Sequence, residues 1–494
     1  MVQRYEDPKI KEIFSDQKKL ELWQATELAV MKARVILGLM DEDDYDKIAD
    51  ILLNTPIDLD WWKNRDKEIH HDLNAFIDER VRHLPKELHQ HFHKNITSYD
   101  TEEPAFARSL YDATEVITLL VNNLTKTLAR QAREYRYTIM NARTHGQEAE
   151  MQTFGAKNLT WYKEVQIADE AFVHSQDNLS YSKLSGAIGK YGSLEPAIEV
   201  EALKILDFIP FYGSTQIMPR VLYAPIAQSL GNLVAVIDKI GLDIRLAARS
   251  GRPILQEPFK KKQKGSSAMP HKKNTIRTEQ LEGLLRMAKG YMNMITDNII
   301  TWEERAIEQS SVERVAWADL FHVTVQALKV LSGVLEGLKV YPDNMLQEIH
   351  ESRGVYASSE VKEFLKTKLA DSGLGHEDAY RIVQLACFNV FEPSPAKLFI
   401  RDSIARSFHE AFVLLRKTAQ LPPEKIISIK DFIPAAKLRV SGDLDISPGQ
   451  VDIYNQALKN LFSNKKIRLE WKTLFTPEFL LKNEAVLYRE ILGA

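Results

Sequence analysis

Several long stretches of this 494-residue chain repeat apolar side chains three and four positions apart, which constrains the fold more than any other feature. Such spacing places the apolar residues along one stripe of an α-helix. The stretches run through residues 106–139, 159–179, 226–244, 281–295 and 320–338. Stretches of this length exceed ordinary globular helices and are typical of a bundle. Because strand-like alternation is scarce, we predict a mainly α-helical fold.

Several of these predicted helices also carry apolar residues beside the main stripe, as at Ala235 and Val236. A helix that is apolar over a wide arc needs packing partners on several sides. A five-helix bundle within one chain does not readily supply those partners. We therefore expect the chain to associate.

Two breaks in the helical pattern divide the chain into three parts. The stretch Tyr99–Pro104 separates a smaller N-terminal region, and a second break lies near Pro342. We predict an N-terminal helical domain at 1–104, a central helical bundle at 105–349 and a C-terminal domain at 350–494. The last sixty or so residues of the chain lose the long helical period and carry several Pro and Gly.

Composition excludes several classes of protein. A formal net charge of −3 gives no reason to expect binding to nucleic acid or to a membrane surface. No apolar run approaches the roughly 20 residues that a membrane span needs, and the first residues are too polar for a secretory leader. Cys387 is the one cysteine, so neither an internal disulfide nor a cysteine-based zinc site can form. We expect a cytoplasmic protein.

One loop, residues 258–275, interrupts the helical middle. It contains six lysines together with glycine and proline, which predicts an exposed, cationic segment. A long loop inside a helical domain is usually functional or disordered, and a solvated surface loop is an equally good interpretation of its lysines. The order Gly265-Ser266-Ser267-Ala268-Met269-Pro270 favours a loop that packs against something, because it places apolar side chains beside paired serines.

His89, His91 and His93 alternate along the chain as metal ligands on a strand would. Their neighbourhood is typical of a helix, on which the three side chains would diverge. We therefore predict no metal site here.

Residues 265–274, which continue the order above with His-Lys-Lys-Asn, closely resemble the signature loop of the fumarase/aspartase superfamily. The segment Ala142–Gln147 resembles the threonine–histidine motif of that superfamily, and Thr97–Asp100 resembles its threonine–serine motif. The three segments occur in the same order as in relatives. The resemblance implies an all-α fold of three domains, in which a central bundle of long helices joins four subunits into one tetrameric core.

Other segments resemble one branch, the adenylosuccinate lyases. His70-His71-Asp72 resembles their Arg-His-Asp, Arg4-Tyr5 their N-terminal pair, and Arg305–Arg314 their segment with two arginines around a serine. His271 fits this branch better than argininosuccinate lyases or fumarases. The resemblance spans residues 1 to about 390. It implies a carbon–nitrogen lyase of purine nucleotide biosynthesis that eliminates fumarate from adenylosuccinate, giving AMP, and from the imidazole-carboxamide analogue SAICAR, giving AICAR.

Five positions depart from the pattern of that branch: His70, Asn95, Thr275, Ala306 and Gln309. His70 replaces the usual arginine, Asn95 a glycine and Thr275 a proline. Ala306 and Gln309 stand where many relatives carry polar Asp and His. The departures concern mainly contacts to phosphate and purine.

Elimination needs a base for the proton next to a carboxylate, an acid for the leaving nitrogen, and cations for the aci-carboxylate intermediate. The resemblance implies that Ser266 is the base, with Lys272 as the nearby charge that favours its alkoxide. It implies that His145 is the acid, oriented by Glu279, and that His71 is a second active-site histidine. The residues alone leave alternatives open: the serines as turn formers, His145 as a structural hydrogen-bonder and Glu279 as a solvated helix acid. The choice of Ser266 over Ser267 rests on the resemblance.

The resemblance also implies how the anionic substrate is held. Threonine and serine hydroxyls, the loop lysine and an asparagine hold the fumaryl carboxylates, whereas arginines bind phosphate because guanidinium forms paired hydrogen bonds with it. The implied substrate-binding residues are Arg4, Tyr5, His70, Asp72, His93, Thr97, Ser98, Gln216, Asn274, Arg305, Ser310 and Arg314. The chemistry requires no metal and no organic cofactor. Relatives build each site from three chains, which implies a homotetramer with shared active sites.

Three other functions fit the same superfamily. A carboxymuconate cycloisomerase-like enzyme is disfavoured because those proteins usually lack a histidine at the position of His145. An argininosuccinate lyase-like enzyme is disfavoured by His271. An inactive scaffold, like the lens crystallins related to this superfamily, is disfavoured because Ser266, His145, Lys272 and Glu279 are all present.

Overall fold

The structure is a computed structural model that describes residues 1–391 and 438–493. In these residues the chain is mainly α-helical, with three two-stranded ladders. The predicted all-α class is therefore confirmed. The part of the predicted C-terminal domain from 392 to 437 lies outside the described residues.

The chain divides into two compact units, each assembled from three separate segments. The first unit holds residues 1–125, 164–243 and 264–336. The second unit holds the remaining segments, 126–163, 244–263 and 337–494. The predicted division at residues 104 and 349 stays a prediction.

The helices up to residue 336 include the five long ones that the periodicity predicts. In chain order they are α1 Pro8–Ile13, α2 Asp16–Ile36, α3 Glu42–Asn54, α4 Leu59–Ile69, α5 Asp72–Val81, α6 Ser98–Glu134, α7 Phe154–Gln176, α8 Pro196–Ile205, α9 Ala224–Ala247, α10 Ile276–Asp297 and α11 Glu308–Glu336.

Side-chain caps fix where the first helices begin. The Asp7 carboxylate accepts the amide hydrogens of Lys9 and Ile10 and so starts α1, with proline at the first helical position. The Ser15 hydroxyl accepts the amide of Lys18 and starts α2. Both residues satisfy amide groups that a helix start otherwise leaves unpaired.

The core of the first unit contains helices that are buried on most of their circumference. Helix α11 packs against α10, and its buried side chains include Trp317, Leu320, Phe321 and Leu328. A second cluster among α2 to α5 is centred on Trp23 and aromatic neighbours. A parallel ladder of β3 Tyr181–Ser182 and β4 Ile209–Pro210 lies in the same unit.

Two helical segments of the described chain, Arg220–Ala247 and Glu308–Glu336, are long and apolar enough to cross a membrane. The prediction that no segment approaches such a span was therefore too strict. Of their most apolar windows, 56% and 72% are buried inside the protein, which is typical of core helices.

Other apolar side chains on the long helices of the first unit point to solvent. Leu119 on α6 is 63% exposed, Ile167 on α7 is 57% exposed and Leu242 on α9 is 44% exposed. These residues belong to the apolar faces for which the sequence predicts partners outside one chain.

The second unit contains an antiparallel hairpin of β1 Ile139–Thr144 and β2 Gln147–Thr153, with a bulge between Asn141 and Arg143. A short ladder joins β5 Leu255–Gln256 to β6 Lys339–Val340. Its helices are α12 Pro342–Glu351, α13 Ser358–Lys368, α14 His376–Phe391, α15 Pro448–Leu461, α16 Lys465–Thr473, α17 Pro477–Leu480 and α18 Glu484–Leu492. Trp471 packs against the rings of three phenylalanines in its core.

The predicted helical stretches differ from the helices at two ends. The stretch predicted to reach Ile139 ends earlier, because α6 stops at Glu134 and Ile139 begins a strand. The stretch predicted to reach Leu338 also ends earlier, at Glu336, and is followed by the β6 strand.

Candidate active site

The signature motif, residues 265–274, closes on itself in the first unit. The side-chain amide of Asn274 donates a hydrogen bond of 3.0 Å to the carbonyl oxygen of Gly265. A Cβ added at Gly265 would lie 2.0 Å from the carbonyl oxygen of Lys272, far inside van der Waals contact. The motif requires glycine here because the two arms of the loop approach so closely.

Ser266, the predicted base, lies half-buried inside this closed motif. Its Oγ accepts the backbone amide hydrogen of Met269 at 3.1 Å. The amide of Lys272 in turn donates to the carbonyl of Met269 at 3.0 Å, and the Lys272 side chain is exposed. An amide that donates to a hydroxyl oxygen stabilises its alkoxide form, so the turn geometry and the proposed chemistry are compatible.

Glu279 lies in the first turn of α10, directly after the motif. The hydroxyl of Thr275 donates to its Oε1 at 3.1 Å, and the carboxylate is otherwise exposed. A negative charge is favourable at a helix N-terminus. Its predicted contact with His145 stays a prediction.

His145, the predicted acid, occupies the tip of the β1–β2 hairpin in the second unit. It has φ of 54° and is followed by Gly146 with φ of 78°, while Thr144 pairs with Gln147. Two consecutive positive φ values form the two-residue turn that matches the twist of a hairpin. A non-glycine residue there costs about 1–3 kcal/mol, and such outliers cluster at functional sites. The strained turn presents an exposed imidazole.

His70 and His71 lie in the break between α4 and α5, and His70, with φ of 52°, follows the last residue of α4. Both residues therefore lie outside the two helices. Nδ1 of His71 accepts the backbone amide hydrogen of Asn74 at 3.3 Å, which caps α5. Nδ1 must be unprotonated to accept, so this cap favours the neutral tautomer that carries hydrogen on Nε2.

Three predicted substrate residues line one cavity of about 180 Å³ in the first unit: Asp72, Ser310 and Arg314. Arg314 donates to the Asp72 carboxylate at 3.2 Å, although its side chain is 63% exposed. Trp23 and Phe106 form apolar walls of this cavity.

Glu102 lines the same cavity and is not predicted from the sequence. Burial, reinforced by the charge of Asp72, raises the pKa of Glu102 to about 8. The only sequence signal was the acidic pair Glu102-Glu103 directly after the threonine–serine motif.

A second group of predicted residues gathers around Tyr99. Nη1 of Arg305 donates to Oε1 of Gln216 at 3.0 Å, and its guanidinium lies 4.1 Å from the centre of the Tyr99 ring. The Tyr99 hydroxyl accepts a hydrogen bond of 3.0 Å from Gln309. A cation over an aromatic face is stabilised by the ring quadrupole, so Tyr99 holds Arg305 in place. Thr97 and Ser98, at the start of α6, are half-buried.

His93 has φ of 50°, and its backbone amide and Nδ1 both contact the buried carboxylate of Glu27, at 3.1 Å and 2.8 Å. Burial disfavours the imidazolium, but the hydrogen bond and charge of Glu27 outweigh burial and raise the pKa of His93 above its ordinary value. Glu27 also accepts from Thr101 at 2.8 Å.

The other two histidines of this run have separate partners. His91 lies 3.3 Å from Asp44, and His89 bonds to the carbonyl of Leu84 at 3.0 Å. Residues 86–91 form a 3-10 helix, so the three imidazoles diverge. No cluster of three potential metal ligands occurs in residues 1–391 and 438–493.

Arg4 and Tyr5 end a short 3-10 helix, Gln3–Tyr5, at the N-terminus. Arg4 is exposed and Tyr5 is half-buried. The next residues are anchored on α11, where the amide of Asp7 donates to Nδ1 of His322 at 2.9 Å and its carboxylate pairs with Lys329.

The structure thus brings the predicted residues together in separate groups. Asp72, Ser310 and Arg314 share a cavity, and Gln216 contacts Arg305. In the part of the chain that the structure describes, Ser266 and Lys272 bond only within their own motif, and Glu279 bonds to Thr275. Their predicted meeting with the other groups stays a prediction.

Comparison with known proteins gives the family. Residues 5–290 match the family model described as Lyase. The chain is 34% identical over 384 residues to the adenylosuccinate lyase of Synechocystis sp. and to that of Thermotoga maritima, covering 78% of this chain and 87% of each relative. It is 30% identical to the adenylosuccinate lyase of Bacillus subtilis, covering 87% of this chain and 96% of that protein.

Solved structures show the same fold. A fumarate lyase from Mesorhizobium sp. BNC1 superposes with a TM-score of 0.74 at 20% identity, covering 100% of this chain and 99% of that one. The β-carboxy-cis,cis-muconate cycloisomerase from Acinetobacter calcoaceticus superposes with a TM-score of 0.70, covering 99% and 98%. Together, the matched family model, these relatives and the shared fold confirm the resemblance in the signature motif: the chain belongs to the adenylosuccinate lyase family of the fumarase/aspartase superfamily.

Proposed function

We propose that this chain eliminates fumarate from adenylosuccinate, giving AMP, and from SAICAR, giving AICAR, in purine nucleotide biosynthesis. The similarity to adenylosuccinate lyases over most of the chain supports this substrate class. The structural observation that best supports this chemistry is the closed signature motif, in which the Ser266 hydroxyl accepts a hydrogen bond from the backbone amide of Met269.

Ser266 removes a proton from the carbon next to a carboxylate of the succinyl group. The electron pair of that C–H bond passes into the carboxylate and forms an aci-carboxylate. The Met269 amide and the Lys272 ammonium stabilise the alkoxide that must exist before the transfer. Lys272 is exposed in the single chain, and we propose that its charge reaches the site when the whole motif moves onto bound substrate.

His145 supplies the second proton. As the aci-carboxylate collapses, its electron pair forms the C=C bond of fumarate and the C–N bond breaks, so the nitrogen leaves with the bonding pair. His145 protonates that nitrogen, and the Glu279 carboxylate orients its imidazole for the transfer. His71, whose cap fixes hydrogen on Nε2, donates that hydrogen to the substrate.

Substrate anions are held by the remaining residues. Thr97, Ser98, Lys272 and Asn274 bind the carboxylates of the fumaryl part. Arginine, histidine, tyrosine and serine side chains bind phosphate and ribose. This second set comprises Arg4, Tyr5, His70, His93, Arg305, Ser310 and Arg314, and Asp72 and Gln216 contact the nucleoside. The raised pKa of His93 supports its role, because an imidazolium attracts phosphate more strongly than a neutral ring.

We propose that the active form is a homotetramer in which each site draws residues from different chains. Exposed apolar side chains on α6, α7 and α9, such as Leu119, Ile167 and Leu242, support burial against further copies. We also propose a cytoplasmic location, because the substrates and products are nucleotides of biosynthesis.

The test is to add purified protein to adenylosuccinate, without added metal, and to follow AMP and fumarate by ultraviolet absorbance. We expect equal amounts of AMP and fumarate from adenylosuccinate, and equal amounts of AICAR and fumarate from SAICAR. Release of succinate or aspartate in place of fumarate would exclude the mechanism, as would complete loss of activity with a chelator. Argininosuccinate and carboxymuconate serve as control substrates, and cleavage of either in preference to adenylosuccinate would reject the proposed specificity.

A further inference from the structure

Asp100 and Lys183 form a fully buried ion pair in the first unit. Nζ of Lys183 lies 2.7 Å from Oδ1 of Asp100, and both side chains have no exposed surface. Asp100 lies in the first turn of α6, and Lys183 directly follows strand β3. Neither residue is among those that the sequence predicts for the site.

Every polar atom of this pair has a partner. Nζ of Lys183 also donates to the carbonyl oxygens of Gly186 at 3.1 Å and Gln216 at 2.9 Å, so its three hydrogens have three acceptors. The Asp100 carboxylate also accepts the amide hydrogens of Thr97 at 2.9 Å and Gly186 at 3.1 Å. The pair therefore joins three separate segments: the start of α6, the turn at Gly186 and the segment that carries Gln216.

Two of these segments carry implied substrate-binding residues. Thr97 and Ser98 are implied to hold the fumaryl carboxylates, whereas Gln216 faces the nucleoside and orients Arg305 through its Oε1. We propose that the Asp100–Lys183 ion pair is a positioning element that sets the spacing between these carboxylate-binding and nucleotide-binding groups. This inference rests on the proposed function.

A role in folding stability alone explains the pair less well. Removing two charges from water is costly, and well-packed apolar side chains of similar volume often stabilise a protein as much or more. What apolar residues cannot supply is the set of directed hydrogen bonds that fixes three backbone segments at defined distances. An enzyme needs that geometry, because displacing a binding group by about 1 Å can slow catalysis by about 100-fold.

The chain offers a matched control in a second buried ion pair, Glu79–Arg80. Both side chains are fully buried, and Arg80 likewise donates to backbone carbonyls, those of Thr55 and Pro56. Lys183→Met and Arg80→Met each remove the nearest cation from a buried carboxylate, although Glu79 keeps weaker contacts with Arg82 at 3.6 Å and His83 at 3.4 Å. We therefore expect both variants to lose stability. Only Lys183→Met should also change the alignment of the substrate-binding groups.

The first measurement is kcat and KM for adenylosuccinate, taken well below the melting temperature of each variant. We expect Lys183→Met to lower kcat/KM by about 100-fold, with both parameters affected, and Arg80→Met to change it by less than about 3-fold. In the double variant Asp100→Leu/Lys183→Met, both buried charges are gone, so the melting temperature should recover while kcat/KM stays low. Recovery of kcat/KM along with stability would show that the pair is only structural and would overturn the inference.

The second measurement does not depend on activity. Amide hydrogen exchange, followed by mass spectrometry, should be faster in Lys183→Met for the peptides that contain Thr97 and Gln216, and unchanged there in Arg80→Met. If the wild-type protein fails to cleave adenylosuccinate, the proposed function is wrong, and this exchange still tests the pair. Faster exchange confined to the residues next to Lys183 would mean that the pair does not couple the two segments.

Discussion

The signature motif at residues 265–274 and the start of helix α6 at residues 97–100 are both proposed to touch the fumaryl part of the substrate, yet they are built differently. The motif is exposed along most of its length and is closed by hydrogen bonds among its own residues. The start of α6 is tied to distant segments through buried Asp100. Proton transfer is thus assigned to a segment with few buried contacts, and binding to a rigid one. A segment with few buried contacts needs little free energy to open locally, and a catalytic loop must open to admit substrate and release products.

The sharpest test of this contrast is Ser266→Ala. We expect turnover to fall by about 10³- to 10⁴-fold while substrate affinity and melting temperature stay close to wild type, because the lost interaction acts in the transition state. The measurements are single-turnover rates, equilibrium binding of adenylosuccinate and thermal unfolding. Ser267→Ala, at the exposed neighbour, is the control. A Ser266→Ala enzyme that keeps most activity while Ser267→Ala loses it would move the base to Ser267.

A mixture of two inactive proteins tests whether different chains supply the motif and the hairpin tip. His145→Gln and Ser266→Ala proteins, unfolded and refolded together, should recover up to about a quarter of wild-type activity. In randomly assembled tetramers, about one shared site in four receives an intact histidine from one chain and an intact serine from another. Each variant refolded alone is the control. An active monomer, or hybrids that form without regaining activity, would contradict shared sites.

Gly265→Ala tests whether closure of the motif matters. The new methyl group would meet the Lys272 carbonyl oxygen, so the arms must separate, and we expect turnover to fall by about 100-fold. Stability should change little, because the motif is exposed. Gly283→Ala is the matched control: nothing lies within 4 Å of its Cβ on α10, and alanine there should stabilise the helix by up to about 1 kcal/mol. Full activity in Gly265→Ala would mean that closure is dispensable.

His71→Asn separates capping from catalysis at the start of α5. Asparagine is a good N-cap, so the melting temperature should stay within about 1 °C of wild type, whereas turnover should fall about 10- to 100-fold through loss of the imidazole. His71→Ala should lower both the melting temperature and turnover, since alanine is a poor cap and also lacks the imidazole. An asparagine variant with normal turnover would assign His71 to helix capping alone.

Glu102→Gln gives the smallest effect, on stability against pH. Because the folded-state pKa of Glu102 is raised to about 8 from an ordinary 4.5, its contribution to stability is present below about pH 4.5 and is lost as pH rises through 8. Between pH 6 and 9 the wild-type melting temperature should fall by about 1–3 °C more than that of Glu102→Gln. Glu115→Gln, at an exposed position of the same helix, should follow wild type. Parallel curves for all three proteins would mean that Glu102 does not titrate in this range.

The long helices could be predicted because their burial repeats with the helical period. The stretch predicted at residues 226–244 lies within α9, and α10 begins at Ile276, directly after the predicted loop 258–275. The β1–β2 hairpin was missed for a physical reason. Its bulge between Asn141 and Arg143 breaks strand alternation, and His145-Gly146 replaces the asparagine–glycine pair that usually marks such a turn.

A sequence motif allows a prediction for the residues that it contains, whereas a residue that acts through tertiary contacts leaves no comparable pattern in the sequence. Ser266 and His145 stand in motifs whose neighbours identify them. Glu102 is marked only by the acidic pair Glu102-Glu103, and Lys183 by nothing local. What defines Lys183 is a set of contacts to residues distant in sequence, such as Asp100, 83 positions away. Contacts of that kind appear only when the chain is folded.

The three-way junction at Asp100 and Lys183 also restricts how this chain can change over evolutionary time. Each side chain satisfies the other and two backbone segments besides, so a mutation at either position leaves the other buried charge without its ion-pair partner. A viable lineage must therefore keep both residues or exchange both within a short interval, together with the turn at Gly186. Among natural variants of this chain, we expect the two positions to vary jointly, while exposed residues of the same helix, such as Glu115, drift independently.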